Sequence, residues 1–383
     1  MKESSARHVK PKKKRRWWQR VLIWTGVGLG GILLLVVCCF LVVFYTPFFP
    51  QTRDKYILMT YHTSNPWLAT AFFSDATISR VLEENKVIAP EGETDPNLIK
   101  PGGATSAPDP TLPTGTSPTG GEPTQPPTET QPAPTQPTTR PTTGAFDTEV
   151  IYEEEGVDIL RIQGDRYVAR LIRVADPSRV RLGVTSKLMK YGERLVTICK
   201  NNNALAGINA GGFDDPGGKG NGGTPSKLLV KDYEILFCDG SEKHPVIGFN
   251  EDNVLILGEF TDEEILQKRI RDAVSFGPFV ILNGQKAKVK GMAGGYDPRT
   301  AIGQTADGTV LLLVIDGRQP GMEGGNMKTV MDIMWEYGAV NAANLDGGSS
   351  ATMVLNNEII NKPCSLYGPR YLPDGWLVTR AES

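Results

Sequence analysis

The hydrophobic pattern sorts the chain into zones of different period. The first apolar run, Val21 to Tyr45, is 25 residues long and carries no charge. At about 1.5 Å per helical residue it is long enough to cross a hydrocarbon core of roughly 30 Å, and it predicts a single transmembrane helix. From about Phe146 onward the pattern changes to short apolar stretches, among them "DILRIQG", "YVARLIRV", "RVRLGVTS", "LAGINAGGF" and "VLILGEF", punctuated by Asn-Gly and Asp-Gly turns. These predict strands.

Helical periodicity is rare. Met327, Val330, Met331, Met334 and Trp335 recur at 3.6-residue spacing, with Asn326 placed as N-cap and Gly338 as stop. A shorter helix is predicted after Ser74 or Asp75, carrying Ile78, Val81 and Leu82 on one face. Near the C-terminus, "ATMVLNNEIIN" reads as two strands around Asn356-Asn357.

One stretch joins the two periods. "TVLLLVIDG" is a nearly continuous apolar run, as a strand buried on both faces requires. The Met327–Tyr337 helix follows, and then "AVNAANLDG", a second short strand. Strand, helix and strand make a βαβ unit with parallel strands and a right-handed crossover. Asp316 and Asp346 then leave the sheet at one edge, and if the strands are neighbours their carboxylates lie about 5–10 Å apart, the spacing of an acid/base pair. The predicted class is α+β: a strand-rich single globular domain containing a βαβ unit, preceded by a transmembrane helix and a disordered Pro/Thr linker.

Composition sets the boundaries. Residues 101–145 are dominated by Pro and Thr, which cannot build a core and favour extended polyproline II. The reading is a basic tail over 1–20, a transmembrane helix over 21–45, a juxtamembrane segment over 46–100, a linker over 101–145 and a catalytic-type domain over 146–383. The linker is read as a spacer that holds the domain away from a membrane.

Charge changes the reading of the tail. The first 20 residues hold nine Lys/Arg and one Glu, a net of +8 in a chain whose formal charge is −2. A basic run can bind nucleic acid, but directly before an apolar span it is a topology signal that stays in the cytoplasm. No small-residue cleavage pattern follows the span. The expectation is a single-pass anchor with the C-terminal bulk outside and no nucleic-acid partner. Cys38 and Cys39 lie in the span, and Cys199, Cys238 and Cys364 form no C-x-x-C pattern. So sparse a set in an exported protein leans towards a bacterial cell surface.

Candidate chemistry gathers around the two aspartates. "DPRTAIG" puts Arg299 at the start of a strand that leads into Asp316, and Arg318 follows Asp316 in "DGR". A guanidinium fork suits a phosphodiester. "INAGGFDDPGGKGNGGTP" adds Asn209, Gly211 and Gly212 in a loop rich in backbone donors, although it is no Walker loop. Asn344, Gly347, Gly348 and Ser349 surround Asp346. "GGSSA" is not a nucleophile elbow, and His244 is read as an ordinary surface or strand-end residue. No EF-hand-like spacing is present, so no metal ligand is assigned and a bound Ca²⁺ is only an open option.

"INAGGF", "SFGPFVILNGQ", "RTAIGQTADGTVLLLVIDGR" and "NAANLDGGSSATMVLNNEIINKP", in that order, resemble the phosphodiester glycosidase family, whose members are lysosomal or associated with bacterial exopolysaccharides. The resemblance covers about Phe146 to Ser383. It implies a hydrolase of sugar-1-phosphodiesters such as N-acetylglucosamine-1-phosphodiesters, acting on surface polysaccharide or cell-wall glycopolymer. It also implies a division of roles. Asp316, Asp346, Arg299 and Arg318 would be catalytic, and Asn209, Gly211, Gly212, Asn344, Gly347, Gly348 and Ser349 would bind substrate, with no cofactor. The family's glycine loop often reads Asn-Gly-Gly-Phe-Phe, whereas Ala210 is inserted here and Asp214 replaces the second aromatic. The competing reading is a non-catalytic glycan-binding or exopolysaccharide-assembly protein at the cell surface.

Overall fold

The computed structural model describes residues 17–61, 63, 65–102, 146–365 and 368–381. The basic tail as far as residue 16 and the Pro/Thr linker from 103 to 145 lie outside the described residues. The chain divides into two compact units, 1–57 and 58–383. In the first, a helix runs from Trp17 to Tyr45, long and apolar enough to cross a membrane by length and composition.

The second unit is built on an eight-stranded sheet. Its strand order is Gln285–Lys286, Phe279–Leu282, Ala339–Leu345, Arg299–Thr305, Val310–Ile315, Val168–Val174, Val157–Gln163 and Asp147–Glu154. Every neighbouring pair is antiparallel. The Val310–Ile315 strand is buried at all six positions. Val310, Leu312 and Val314 enter one core, and Leu311, Leu313 and Ile315 enter another on the opposite face. This two-sided burial is why the run carries no polar position.

The first core lies between the large sheet and two five-stranded sheets, to which it is joined by Ile208, Trp376, Phe249 and Val274. The second is closed by the Met327–Glu336 helix, whose Met327, Val330, Met331, Ile333 and Met334 face it. That helix starts where its period predicts, with Asn326 accepting from Thr329 N, and Gly338 takes φ 82° just beyond its end. Asn356 and Asn357 both take positive φ in the tight turn between Met353–Leu355 and Glu358–Ile359.

The βαβ unit is present with one difference. The strands ending at Ile315 and Leu345 are parallel, because each pairs antiparallel with Arg299–Thr305, but that strand lies between them. Two ladder spacings, about 10 Å, therefore separate the strands that precede Asp316 and Asp346. The neighbour geometry expected from the sequence is replaced by a split one.

The segment read as juxtamembrane joins this unit from Leu58 onward. Ser74 caps the Asp75–Glu84 helix, which buries Ile78 and Val81. Val87 pairs with Val289, Thr94 N donates to Leu257 O at 2.9 Å, Lys100 N donates to Ala306 O at 2.9 Å, and Ile99 lies in an apolar cluster with Ile256 and Phe260. The Pro/Thr stretch therefore joins two parts of one compact unit. All five cysteines are free thiols.

Because Ile99 is 3% exposed in that cluster, Ile99→Ala is expected to lower the unfolding free energy by about 2–4 kcal/mol in chemical denaturation. A change below about half a kcal/mol would mean that this segment does not stabilise the globular unit.

Candidate active site

The strand ends at Arg299, Ile315 and Leu345 share one edge of the large sheet, and a pocket of about 290 Å³ opens there. Asp346, Gly347, Gly348, Ser349 and Asn344 line it from one strand exit, Arg299 and Arg318 from two others, and Gly212 from the glycine loop. Eight of the eleven residues singled out in the sequence thus meet in one cavity.

The other three stand just outside it. Asp316 is 2% exposed and its oxygens are occupied: Oδ2 pairs with Arg170 Nη1 at 2.7 Å, and Oδ1 accepts from Asn361 Nδ2 and Lys362 N at 2.9 Å. Asn209 is fully buried, with Nδ2 donating to Asp346 O and Oδ1 accepting from Thr300 Oγ1 at 2.9 Å and Thr352 N at 3.0 Å. Gly211 N donates to Asp374 Oδ1 at 2.7 Å. Asp316, expected to share the chemistry with Asp346, is thus separated from it by the intervening strand and ion-paired with Arg170.

The turn after Leu345 is glycine-rich for steric reasons. A Cβ on Gly347 would come within 2.7 Å of Pro298 O, and Gly348 holds φ at +58° beside the Arg318 guanidinium. Gly348 N donates to Pro298 O and Asp346 N to Ala210 O. The aspartate is thus fixed between the edge of the large sheet and the glycine loop.

The arginines are arranged unequally. Arg318 donates Nε to Asp297 Oδ1 at 2.7 Å. Burial works against its charge, but Asp297 and Cys364 together outweigh burial, and its pKa lies above the ordinary value. Arg299 makes no ion pair among the described residues; Nε reaches Gly325 O, and Nη2 reaches Gly294 O and Gly295 O. Burial lowers its pKa, as expected for a cation held by neutral carbonyls. A third guanidinium, Arg370, bonds Asp215 Oδ1 at 2.7 Å and Ser349 Oγ at 3.3 Å.

Among these charges Asp346 retains its proton unusually well. Burial pushes its pKa up to about 7; a Ser350 hydrogen bond and the Arg370 charge oppose the rise, and Asp215 reinforces it. Asn344 contributes a fixed acceptor. Its Nδ2 donates to Gly277 O at 2.9 Å, while Oδ1 is buried without a hydrogen-bond partner among the described residues. Phe213 and Phe276 add apolar wall, and Thr63 reaches the pocket from the N-terminal part of the unit.

Sequence reasoning passed over Asp297, Arg370, Asp215 and Asp374. Asp297 lies two residues before Arg299, a spacing that was available. Arg370 and Asp374 sit in "GPRYLPDGW", which has no motif, and only strand pairing brings them to the site. His244 opens the His244–Asn250 strand, the strand-end place expected, but is fully buried, with Nε2 3.1 Å from Asp262 Oδ1, and does not line the pocket. Among the described residues no group of three or more His, Cys, Asp or Glu is placed to hold a metal ion.

An antiparallel-sheet scaffold whose strand edge gathers arginines around one proton-retaining aspartate is suited to an anionic ester. Known proteins agree with that class. Residues 202–379 match the phosphodiester glycosidase family. The chain is 28% identical over 153 residues to the human N-acetylglucosamine-1-phosphodiester alpha-N-acetylglucosaminidase, covering 35% of this chain and 30% of that protein. It is 26% identical over 193 residues to the Bacillus subtilis SPbeta prophage-derived uncharacterized protein YomE, covering 49% and 29%. The matches span under a third of the length of these relatives. The catalytic domain of the zebrafish N-acetylglucosamine-1-phosphodiester alpha-N-acetylglucosaminidase shares the fold, with a TM-score of 0.50 and 20% identity over 64% of this chain and 86% of that one.

The two raised carboxyls, Asp346 and Asp374, fix the sign of one pH effect. Both pKa values lie at about 7 in the folded chain, against an ordinary carboxyl value of 3.8. Folding therefore holds protons that unfolding releases between these values, and stability falls as pH rises through that window. Asp374→Asn removes one such group, so its melting temperature relative to the parent is expected to rise between pH 5 and pH 8. Parallel melting curves at the two pH values would contradict this.

Proposed function

We propose that the domain hydrolyses sugar-1-phosphodiesters at the anomeric carbon. The observation that carries the reading is Asp346, with a proton affinity near neutrality, lining the same pocket as Arg299, a cation without an ion-pair partner among the described residues. Arg299 and Arg318 hold the phosphoryl oxygens, and Arg370 adds positive potential beyond Ser349. Asp346 accepts a proton from water as the water oxygen attacks the anomeric carbon. The bond from that carbon to the phosphate oxygen breaks, its electron pair leaves with the phosphate, and the products are free sugar and a phosphomonoester. A general base working near pH 7 needs a pKa close to that value. Fixed cations where the leaving charge develops stabilise the transition state more than the ground state.

Asn344 Oδ1 accepts from a sugar hydroxyl or an amide N–H, consistent with the N-acetylglucosamine phosphodiesters named for the relatives. With the Trp17–Tyr45 helix as a single-pass anchor and the basic tail in the cytoplasm, the domain lies outside the cell membrane, on a Gram-positive surface. Its substrates there are glycosyl phosphodiesters of surface polysaccharide or cell-wall glycopolymer.

The test is release of free sugar from a methyl or aryl N-acetylglucosamine-1-phosphodiester by the full chain in detergent. The parent is expected to turn over, with a rate that rises with pH through about 7. Asp346→Asn is expected to lose roughly 10²–10⁴-fold in kcat. Arg299→Gln should lose a comparable factor in kcat/KM. Asp316→Asn should lower thermal stability, since it unpairs Arg170, while retaining most of kcat. No turnover, together with saturable binding of a wall polymer, would support a glycan-binding protein instead.

A further inference from the structure

Asp374 takes no part in the reaction just described, yet it is a buried carboxyl beside the pocket with a raised pKa. It opens the Asp374–Thr379 strand and is 1% exposed. Oδ1 accepts from Gly211 N at 2.7 Å, while Oδ2 has no hydrogen-bond partner among the described residues and lies beside the Gly211 backbone. A buried carboxyl with one unmatched oxygen is strongly disfavoured when ionised. An asparagine would accept the same Gly211 hydrogen bond without that penalty. The acid therefore calls for a reason other than stability.

Its surroundings supply one. Asn209, Ala210 and Gly211 form a three-residue spine that carries both aspartates. Asn209 Nδ2 and Ala210 O bind the two ends of the Asp346 peptide unit, and Gly211 N binds the Asp374 carboxyl. The next residue, Gly212, lines the pocket. We propose that Asp374 is a positioning residue of this site: its carboxyl fastens the glycine loop and, by like-charge repulsion across the spine, sets the pH at which Asp346 gives up its proton.

This rests on the reading of Asp346 as the base. Two carboxyls that share a poorly solvated region titrate as a pair, because ionising one opposes ionising the other. Asp374 feels the Asp346 charge in this way, and burial places both near neutrality. The other groups around Asp346 are Arg370 and Asp215 from the neighbouring loops, Ser350 from its own turn, and Arg299, Arg318 and Asp297 across the pocket. None of them is held by Gly211, so Asp374 can be neutralised while they stay in place.

The experiment follows Asp346 directly, by ¹³C NMR titration of the full chain labelled at aspartate carboxyl carbons, with the resonance assigned by its loss in Asp346→Asn. Asp374→Asn and Asp374→Ser both remove the charge and keep an acceptor for Gly211 N. In both, the Asp346 midpoint is expected to fall by roughly half to one pH unit. The limb of the kcat/KM profile that rises with pH should move down by the same amount. A midpoint unchanged in a folded variant overturns the proposal, as does a uniform loss of activity with no shift in the limb. If no substrate is turned over at all, the hydrolase reading fails, and the titration still decides whether Asp374 governs Asp346.

Discussion

A single buried amide, that of Asn209, sets the geometry of the site. Its Nδ2 holds the carbonyl of Asp346, and its Oδ1 gathers Thr300 and Thr352. These partners come from the edge of the eight-stranded sheet and from the turn that enters the hairpin after Ser350. One side chain therefore docks a five-stranded sheet onto the large sheet at the strand edge where the pocket opens. A buried amide is worth having there only if its hydrogen-bonding groups are matched, and both of its side-chain atoms are. The residue expected from the sequence to bind substrate is a buried clamp beneath the pocket.

Around this clamp the charges are uneven in a way that a purely structural edge would not need. Arg318 and Arg370 have carboxylate partners, whereas among the described residues Arg299 makes hydrogen bonds to carbonyls and no ion pair, with Asp297 acting on it only through its charge. Asp316 is fully engaged, while Asp346 and Asp374 are desolvated and retain protons to about pH 7. A buried cation without an ion pair and proton-retaining acids reduce stability. Their accumulation at one pocket is the pattern of a site in which stability has been traded for chemistry.

The parts legible in the sequence were those encoded locally. The Met327–Glu336 helix announced itself by period and caps, the Asn356-Asn357 turn by residue type, and the Val310–Ile315 strand by its lack of polar positions. The parallel sense of the strands before Asp316 and Asp346 also followed, since a helix of this length connects them. Strand order did not follow, because nothing local says that Arg299–Thr305 lies between the two. An Asp-Gly exit looks the same whether its carboxylate faces a pocket, as at Asp346, or Arg170, as at Asp316. Arg370 and Asp374 lie outside any motif and reach the site through the pairing of Gly375 with Asn209. The docking of residues 58–102 was hidden for a related reason: the partners of Val87, Thr94 and Ile99 lie far along the sequence, beyond the Pro/Thr stretch.

The central claim is that the pocket breaks the bond at the sugar carbon and leaves the phosphate oxygen on the departing group. Hydrolysis of a methyl N-acetylglucosamine-1-phosphodiester in ¹⁸O-labelled water, with both products weighed by mass spectrometry, tests it most directly. Attack by water activated at Asp346 places the label on the anomeric hydroxyl of the released sugar and none in the phosphomonoester. Label found in the phosphate would show attack at phosphorus and would contradict the account.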